Sequence, residues 1–402
     1  MLTPEQLAEI PEILAGQMRN LEEDIIADIA RRFEKNLAAT DTALHQMEVL
    51  ALASKEAEEL TKLVSDHMGI TQKEFERLIA DGSALSYEQD MQAYLLGGKK
   101  LPHLTDNIPM ERMIQATLRQ NWAGIENLSN TAGFVRNGRY TPLDEFYKRE
   151  LGQAVLKVHS GAFDYNTVLR SVVKEMAGSG VRMIDYDNTT AYHVDVAARR
   201  AVLTTLNQIT GQMSLMNAED MDQDLMETTA HAGARPSHAG WQGEIVSLSG
   251  KRGYYTLDQI GYGEVTGFMG ANCRHGWYPF FEGISERAYS KEFLENIDNP
   301  PFEYNGTTYT HYEATQRMRQ LERRIRATKR ELIGYDAASL QGDFTAASVK
   351  LRRQRDHYME FCEAAGIKPQ LERVAAQGYN RSISSKSVWA VKAPNTRSTK
   401  AT

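Results

Sequence analysis

Apolar residues recur every three or four positions from Ile10 through Leu14, Met18, Leu21, Ile25 and Ile29 to Phe33. That spacing puts them on one side of an α-helix. Such a helix must bury its stripe against other elements, which commits the chain to a helix-rich, packed architecture. Thr3 is placed to cap it, with Pro4 at the first helical position and Gln6 closing a capping box. Pro11 predicts an interruption. A second start, Thr71 followed by Glu74, precedes Phe75, Leu78 and Ile79. Gly82 and Gly97-Gly98 punctuate the region, and residues 102–109 read as a loop. A further helix is expected from near Pro109 through Met113, Ile114, Leu118 and Trp122.

A chain of 402 residues exceeds the usual size of one domain. No run of 18 apolar residues occurs, so no transmembrane helix is expected. Residues 1–14 have neither a basic start nor a compact apolar segment, so no secretory signal is expected. Two cysteines, Cys273 and Cys362, exclude a disulfide scaffold and fit a reducing compartment. Cys362 falls among helical positions as a small core residue.

The texture changes after Thr141. Two helical stretches are broken at His159-Ser160-Gly161, and Val168, Leu169, Val172, Val173 and Met176 give the second its apolar face. Residues 181–186 read as a strand, 194–210 as helix, and 225–229 as a strand leading into a histidine-bearing loop. Gly243 to Leu257 reads as a hairpin turning at Ser249-Gly250-Lys251. After residue 311 helical spacing returns: Leu321, Ile325, Thr328 and Leu332 form one stripe, and Gly334 fits a stop. A second helix is expected over 346–365, ended by Gly366 and Pro369. Residues 380–402 are rich in Ser, Lys, Arg and Thr and are expected to be disordered.

Charge is asymmetric. Residues 311–402 hold 18 Lys+Arg against 9 Asp+Glu, a net of +9, while the rest carries −16 of the total −7. Arg319, Arg323, Arg326 and Arg330 align along one side of a helix, which makes them candidate nucleic-acid contacts; Glu322 is placed to pair with Arg326. A solvated face and an acidic protein partner are the competing readings.

Three histidines, one cysteine and two tryptophans crowd into HAGARPSHAGWQG at 231–243 and GANCRHGWYP at 270–279. His231, Arg235, His238, Asn272, Cys273, Arg274 and His275 are expected to converge on one site. Three chemistries fit them. The first is a polar network locking two loops, with Trp241 and Trp277 in the core. The second is a zinc-dependent hydrolytic site, in which Cys273 and His275 share a face of a strand and His231 and His238 complete a tetrahedral set, although H-x6-H with C-x-H is no standard zinc spacing. The third is a metal-independent, nuclease-like site with His231 and His238 as base and acid and the two arginines on phosphate. No P-loop, dinucleotide fingerprint, HExxH or GxSxG occurs.

The run SGAFDY at 160–165, Ser179-Gly180-Val181, Ile184 to Tyr186, Asp195 to Arg200, Thr204 and Gln208 resembles the phage minor capsid protein 2 family. The block 231–243 is its most distinctive element. Tyr262-Gly263, Gly267, Gly270 and Asn272 to His275 follow in order, then Tyr312, Thr315, Gln316 and the 321–330 segment. The resemblance spans about 145–385; residues 1–140 match mainly in being helical. It implies a low-copy structural protein of a tailed-phage head, akin to head-morphogenesis proteins of Mu-like phages. Such proteins associate with the portal and other head proteins and act in head assembly or in DNA packaging and delivery; non-specific DNA contact is the separate expectation from the basic tail. That places the chain in the virion, and in host cytoplasm during assembly, with no membrane contact. The resemblance carries no catalytic residues, so no enzyme activity, cofactor or metal is expected.

The resulting expectation is an α+β fold. A helical region at 1–142, suited to portal contact, precedes a mixed central domain at 143–300 with a small antiparallel sheet. A basic helical region follows at 301–379, then the tail at 380–402.

Overall fold

The computed structural model describes residues 1–38, 43–129, 131–160, 163–185 and 190–392. Its architecture is α+β, dominated by helices that frame small sheets. The chain folds into two compact units, each built from three segments. One takes Met1–Gly16, Ile70–Asn127 and Asp195–Thr315; the other takes Gln17–Gly69, Leu128–Val194 and Gln316 onward.

Helix α1 (Pro4–Ala38) starts at the expected capping box. The Thr3 N–H donates to Gln6 Oε1 at 2.9 Å, and the Gln6 N–H donates to Thr3 Oγ1 at 3.3 Å. Pro11 does not interrupt it. Leu7 and Leu14, on either side of Pro11, are both buried, and that burial outweighs one missing backbone bond. Nor does α2 (Ala43–Leu96) restart at Thr71 or pause at Gly82. A Cβ at Gly82 would lie 2.7 Å from Leu206 Cδ2 on α6 (Val194–Asp220), so this glycine permits a close helix–helix approach rather than ending a helix. The true stop is Gly98, at φ +77°. A single 3₁₀ turn (Leu104–Asp106) precedes α3 (Ile108–Ser129).

In the second unit, β1 (Gly133–Arg136), β2 (Arg139–Pro142), β3 (Arg182–Asp185) and β4 (Thr190–His193) form a sheet in the order β2-β1-β3-β4, antiparallel throughout. The β1–β2 hairpin falls inside the stretch expected to be helical. Its turn, Asn137-Gly138, sits at φ +49° and +76°, the left-handed pair that a two-residue hairpin requires. Helices α4 (Leu143–His159) and α5 (Tyr165–Ser179) cover this sheet, broken where expected; Gly161 and Tyr186 lie outside the described residues. The five apolar residues of α5 are all buried, and Asp164 caps it through the Thr167 N–H at 3.0 Å.

Helix α9 (His311–Ala337) runs through Gly334, where a Cβ would meet Val173 Cγ1 at 2.5 Å; this is another close approach, not a stop. Helix α10 (Gln341–Ala365) ends at Gly366 in the left-handed conformation, as expected, and buries Cys362. The tail expected to be disordered contains α11 (Arg381–Lys392). Asn380 Oδ1 accepts from the Ser382 and Ile383 N–H groups at its start, and Ile383 and Ser387, one turn apart, are buried. Two inward positions were enough, and the polar composition hid them. Residues 393–402 lie outside the described residues.

The first unit holds the sheet that positions the candidate site. Strands β5 (Leu225–Thr228), β6 (Ile245–Ser247), β7 (Tyr255–Thr256) and β8 (Trp277–Pro279) are ordered β7-β6-β5-β8. The expected 243–257 hairpin is not one, because β7 pairs parallel to β6. Asp224 accepts from Ser247 Oγ at 2.8 Å and from the Ser249 N–H at 2.6 Å. That fixes the chain after β6 locally, while Gly250 and Gly253 at φ +79° and +101° redirect it. Beneath the sheet Met1, Met226, Trp241, Val246, Ile260, Phe268 and Trp277 form one apolar core. After a short helix α8 (Lys291–Glu295), a further hairpin, β9 (Phe302–Tyr304) with β10 (Thr307–Tyr309), turns at Asn305-Gly306.

Candidate functional site

Strand β5 runs into the loop bearing His231, and β8 follows the loop bearing Cys273 to His275. These strands pair, with Thr228 opposite Trp277. The register continues past the strands: the Thr229 N–H donates to the Gly276 carbonyl at 2.8 Å, and the Gly276 N–H returns to Thr229 Oγ1 at 2.8 Å. Sheet pairing therefore brings two motifs distant in sequence side by side.

The first motif then makes a single helical turn, α7 (Pro236–Ala239), with Pro236 at its first position. This turn points His238 inward, 2% exposed. The second motif is shaped by glycine. A Cβ at Gly267 would lie 1.8 Å from the Gly261 carbonyl oxygen, and one at Gly270 would lie 2.5 Å from that of Val265. No other residue fits such backbone crossings. Asn272 takes φ +59°, a turn conformation that asparagine tolerates.

The side chains converge. Cys273 Sγ lies 3.5 Å from His275 Nδ1 and 3.9 Å from His238 Nδ1, and the two Nδ1 atoms are 3.3 Å apart. His231 stacks on His275 with ring centroids 4.4 Å apart, and Trp241 packs against both His238 and His275. Arg274 Nη2 reaches His231 Nδ1 at 3.1 Å. Arg235 donates from Nη1 to the Thr266 carbonyl at 3.1 Å and from Nη2 to the Ala271 carbonyl at 2.6 Å. Two residues escaped the sequence reading as site members. Gln242 Oε1 sits 3.3 Å from His275 Nε2, and Asn207 of α6 donates to the Cys273 carbonyl at 3.0 Å. Gln242 lies within the conspicuous 231–243 block; nothing local marked Asn207.

Burial governs the electrostatics. It holds the His231 imidazole down at about 4, helped by the Arg274 charge. It lowers His238, and lowers His275 well below the ordinary histidine range. It pushes the Cys273 thiol up. Near neutral pH the cluster is three uncharged imidazoles and a protonated thiol. A nucleophilic cysteine needs a depressed pKa and access, and Cys273 at 1% exposure has neither. The guanidinium of Arg235 is spent on loop carbonyls. Replacing Arg235 with alanine strands the Ala271 carbonyl, leaves the Thr266 carbonyl to His238 Nε2 alone, and is expected to destabilise the protein by about 1–3 kcal/mol. Urea unfolding of the variant checks this; an unchanged midpoint would mean that water replaces the guanidinium.

The arginines of α9 are placed differently from the expected stripe. Arg319 Nη1 contacts Glu322 Oε1 and Oε2 at 2.8 and 2.9 Å, so Glu322 pairs with Arg319. Arg326 donates to the Arg373 carbonyl at 2.7 Å. Arg330 is buried, bound to Glu22 Oε2 at 2.8 Å. Arg323 is exposed, and so is the neighbouring Arg324. The helical alignment is present, but packing on both flanks turns Arg330 into the protein. Arg323, Arg324, Arg326, Arg330, Gln320 and His193 line a groove of about 380 Å³.

Comparison with known proteins supplies the context. The profile of a family described as Phage minor capsid protein 2 matches residues 2–363. A "Structural protein" of Lactococcus phage LL-H is 22% identical over 182 residues, 43% of this chain and 49% of that protein. The chain thus spans about half the length of the curated relative it matches. No solved structure matches the chain.

Proposed function

Because the chain belongs to the phage minor capsid protein 2 family, a family of virion structural proteins, we propose that it is a portal-associated head component acting in head assembly and in DNA packaging or delivery. The family match carries this reading, since it covers nearly the whole chain, the helical N-terminal region included. The cluster agrees with it. Its Arg235 binds loop carbonyls, its histidines are neutral and its cysteine is buried, a chemistry suited to holding loops rather than turning over substrate. On this reading the 1–142 region makes the portal contact, and the chain passes through host cytoplasm before joining the particle. Among the described residues, no helix is long and apolar enough to cross a membrane.

The test is co-expression of the tagged chain with the portal, scaffold and major capsid proteins of its own phage. Retention of portal supports the reading; recovery of the chain free of every head protein contradicts it. Incubation with single- and double-stranded RNA and DNA, with and without chelator, addresses the enzymatic alternative. Cleavage lost on His231→Ala or His238→Ala would overturn the structural role.

The groove on α9 favours a second contact, with nucleic acid. Arg323 and Arg324 are its exposed charges. Binding there is expected to be non-specific and to weaken steeply with salt, because each neutralised phosphate releases counterions. Changing both arginines to alanine is expected to reduce the slope of log affinity against log salt by about 2. An unchanged slope would assign the groove to a protein partner.

A further inference from the structure

Hydrogen bonding fixes the tautomers of two buried histidines and leaves a problem between them. His238 Nε2 lies 2.9 Å from the Thr266 carbonyl oxygen, which only accepts. That nitrogen carries the proton, so in the neutral ring Nδ1 is a bare lone pair. Gln242 Oε1 accepts the backbone N–H of His231 at 3.2 Å, which identifies it as the amide oxygen. His275 Nε2, 3.3 Å from the same oxygen, must therefore donate. Its Nδ1 is bare as well. Two lone pairs thus face each other at 3.3 Å in a buried site. The Cys273 thiol has one proton and can satisfy one of them.

We propose that His238 Nδ1, Cys273 Sγ and His275 Nδ1 are the ligands of a zinc-class divalent ion that clamps the 235–242 turn to the 270–276 loop. In a tetrahedral site with Zn–N about 2.0–2.1 Å and Zn–S about 2.3 Å, neighbouring ligand atoms lie about 3.3–3.4 Å (N to N) and about 3.5–3.6 Å (S to N) apart. The separations here are 3.3 Å between the nitrogens, and 3.5 and 3.9 Å from sulfur to each. Three edges of a tetrahedral face are already laid out. Each ligating imidazole also donates its other N–H to an oxygen, the Thr266 carbonyl or the Gln242 amide, which is how metal-binding histidines are held in orientation. The His275 backbone N–H points at Sγ from 3.4 Å, a contact that strengthens when sulfur carries negative charge.

On binding, the Cys273 S–H bond breaks, a sulfur–metal bond forms, and one proton leaves to solvent. One thiolate with two imidazoles is a soft set that favours zinc over magnesium or calcium. His231 is not the fourth ligand: its ring stacks on His275 and its Nδ1 faces Arg274 and the Ala232 carbonyl. The fourth corner falls to water or to a group from outside the chain. Sequence spacing argued against a metal because one ligand lies on a single helical turn and the others on a loop that only the β5–β8 pairing brings to it.

The test uses the full chain, expressed without a histidine tag in zinc-supplemented medium and dialysed against metal-free buffer. Elemental analysis is expected to find one zinc per chain, and a content lower by about tenfold or more in Cys273→Ser and His238→Ala. Circular dichroism separates loss of metal from loss of fold. A second measurement needs no variant. Cobalt(II) added to chelator-treated wild-type protein is expected to give a thiolate-to-cobalt charge-transfer band and visible bands of tetrahedral intensity. Wild-type protein that binds neither ion, or zinc that survives Cys273→Ser undiminished, would overturn the assignment.

Discussion

Replacing Arg330 with alanine is expected to destabilise the folded chain by about 3–5 kcal/mol. The guanidinium is 5% exposed and the Glu22 carboxylate 3%. Arg330 Nε donates to the Ala177 carbonyl at 3.0 Å and Nη1 to Glu22 Oε2 at 2.8 Å, while Glu22 Oε1 accepts the Val181 N–H at 2.8 Å. The pair therefore ties α1, α5, the start of β3 and α9 together. Losing the arginine leaves a buried carboxylate without its counter-charge. It also unbalances Glu23 next door, which burial already raises to about 7 and which Arg330 helps to hold down. The destabilisation belongs to the broken pair rather than to the arginine alone. Changing both partners, Glu22→Leu with Arg330→Met, is expected to be near neutral or better. Chemical unfolding of the two singles and the double closes the cycle. A single substitution losing less than about 1 kcal/mol would mean that the guanidinium is solvated, and would restore the outward-facing arginine stripe.

Trp277→Ala is expected to rank with it, at about 3–5 kcal/mol. Trp277 is fully buried on β8, stacked on Tyr262 with centroids 5.5 Å apart and against Phe268 at 4.8 Å. Removing the indole opens a cavity under β8, which directly follows the loop bearing His275, so the loss extends from the core to the cluster. Trp277→Phe keeps most of the buried area and is expected to lose much less. Near-equal losses for the two variants would show that the site, not the cavity, sets the energy.

Local chemistry was legible where it acts alone. The Thr3–Gln6 capping box, the stripe of α1, the buried face of α5 and the left-handed Gly366 each follow from residue type and spacing. So does the gathering of His231, Arg235, His238 and the 273–275 run, since Gly and Pro among such residues mark loops of fixed shape. What could not be read depends on partners distant in sequence. Gly82 and Gly334 resemble helix stops until Leu206 and Val173 are seen pressed against them. Pro11 resembles a break until burial on both sides outweighs it. The parallel β6–β7 pair depends on Asp224, on the far side of β5, and Arg330 turns inward because of Glu22 at the opposite end of the chain. The β1–β2 hairpin is a different case: Asn137-Gly138 signalled it locally, and the helical texture around it drew the reading away.

Quantitative mass spectrometry of purified, DNA-filled particles decides whether the chain sits with the portal in the phage head, as proposed. The chain is expected in a copy number close to that of the portal protein and far below that of the major capsid protein. A chain abundant in the infected lysate but missing from the particles would contradict it.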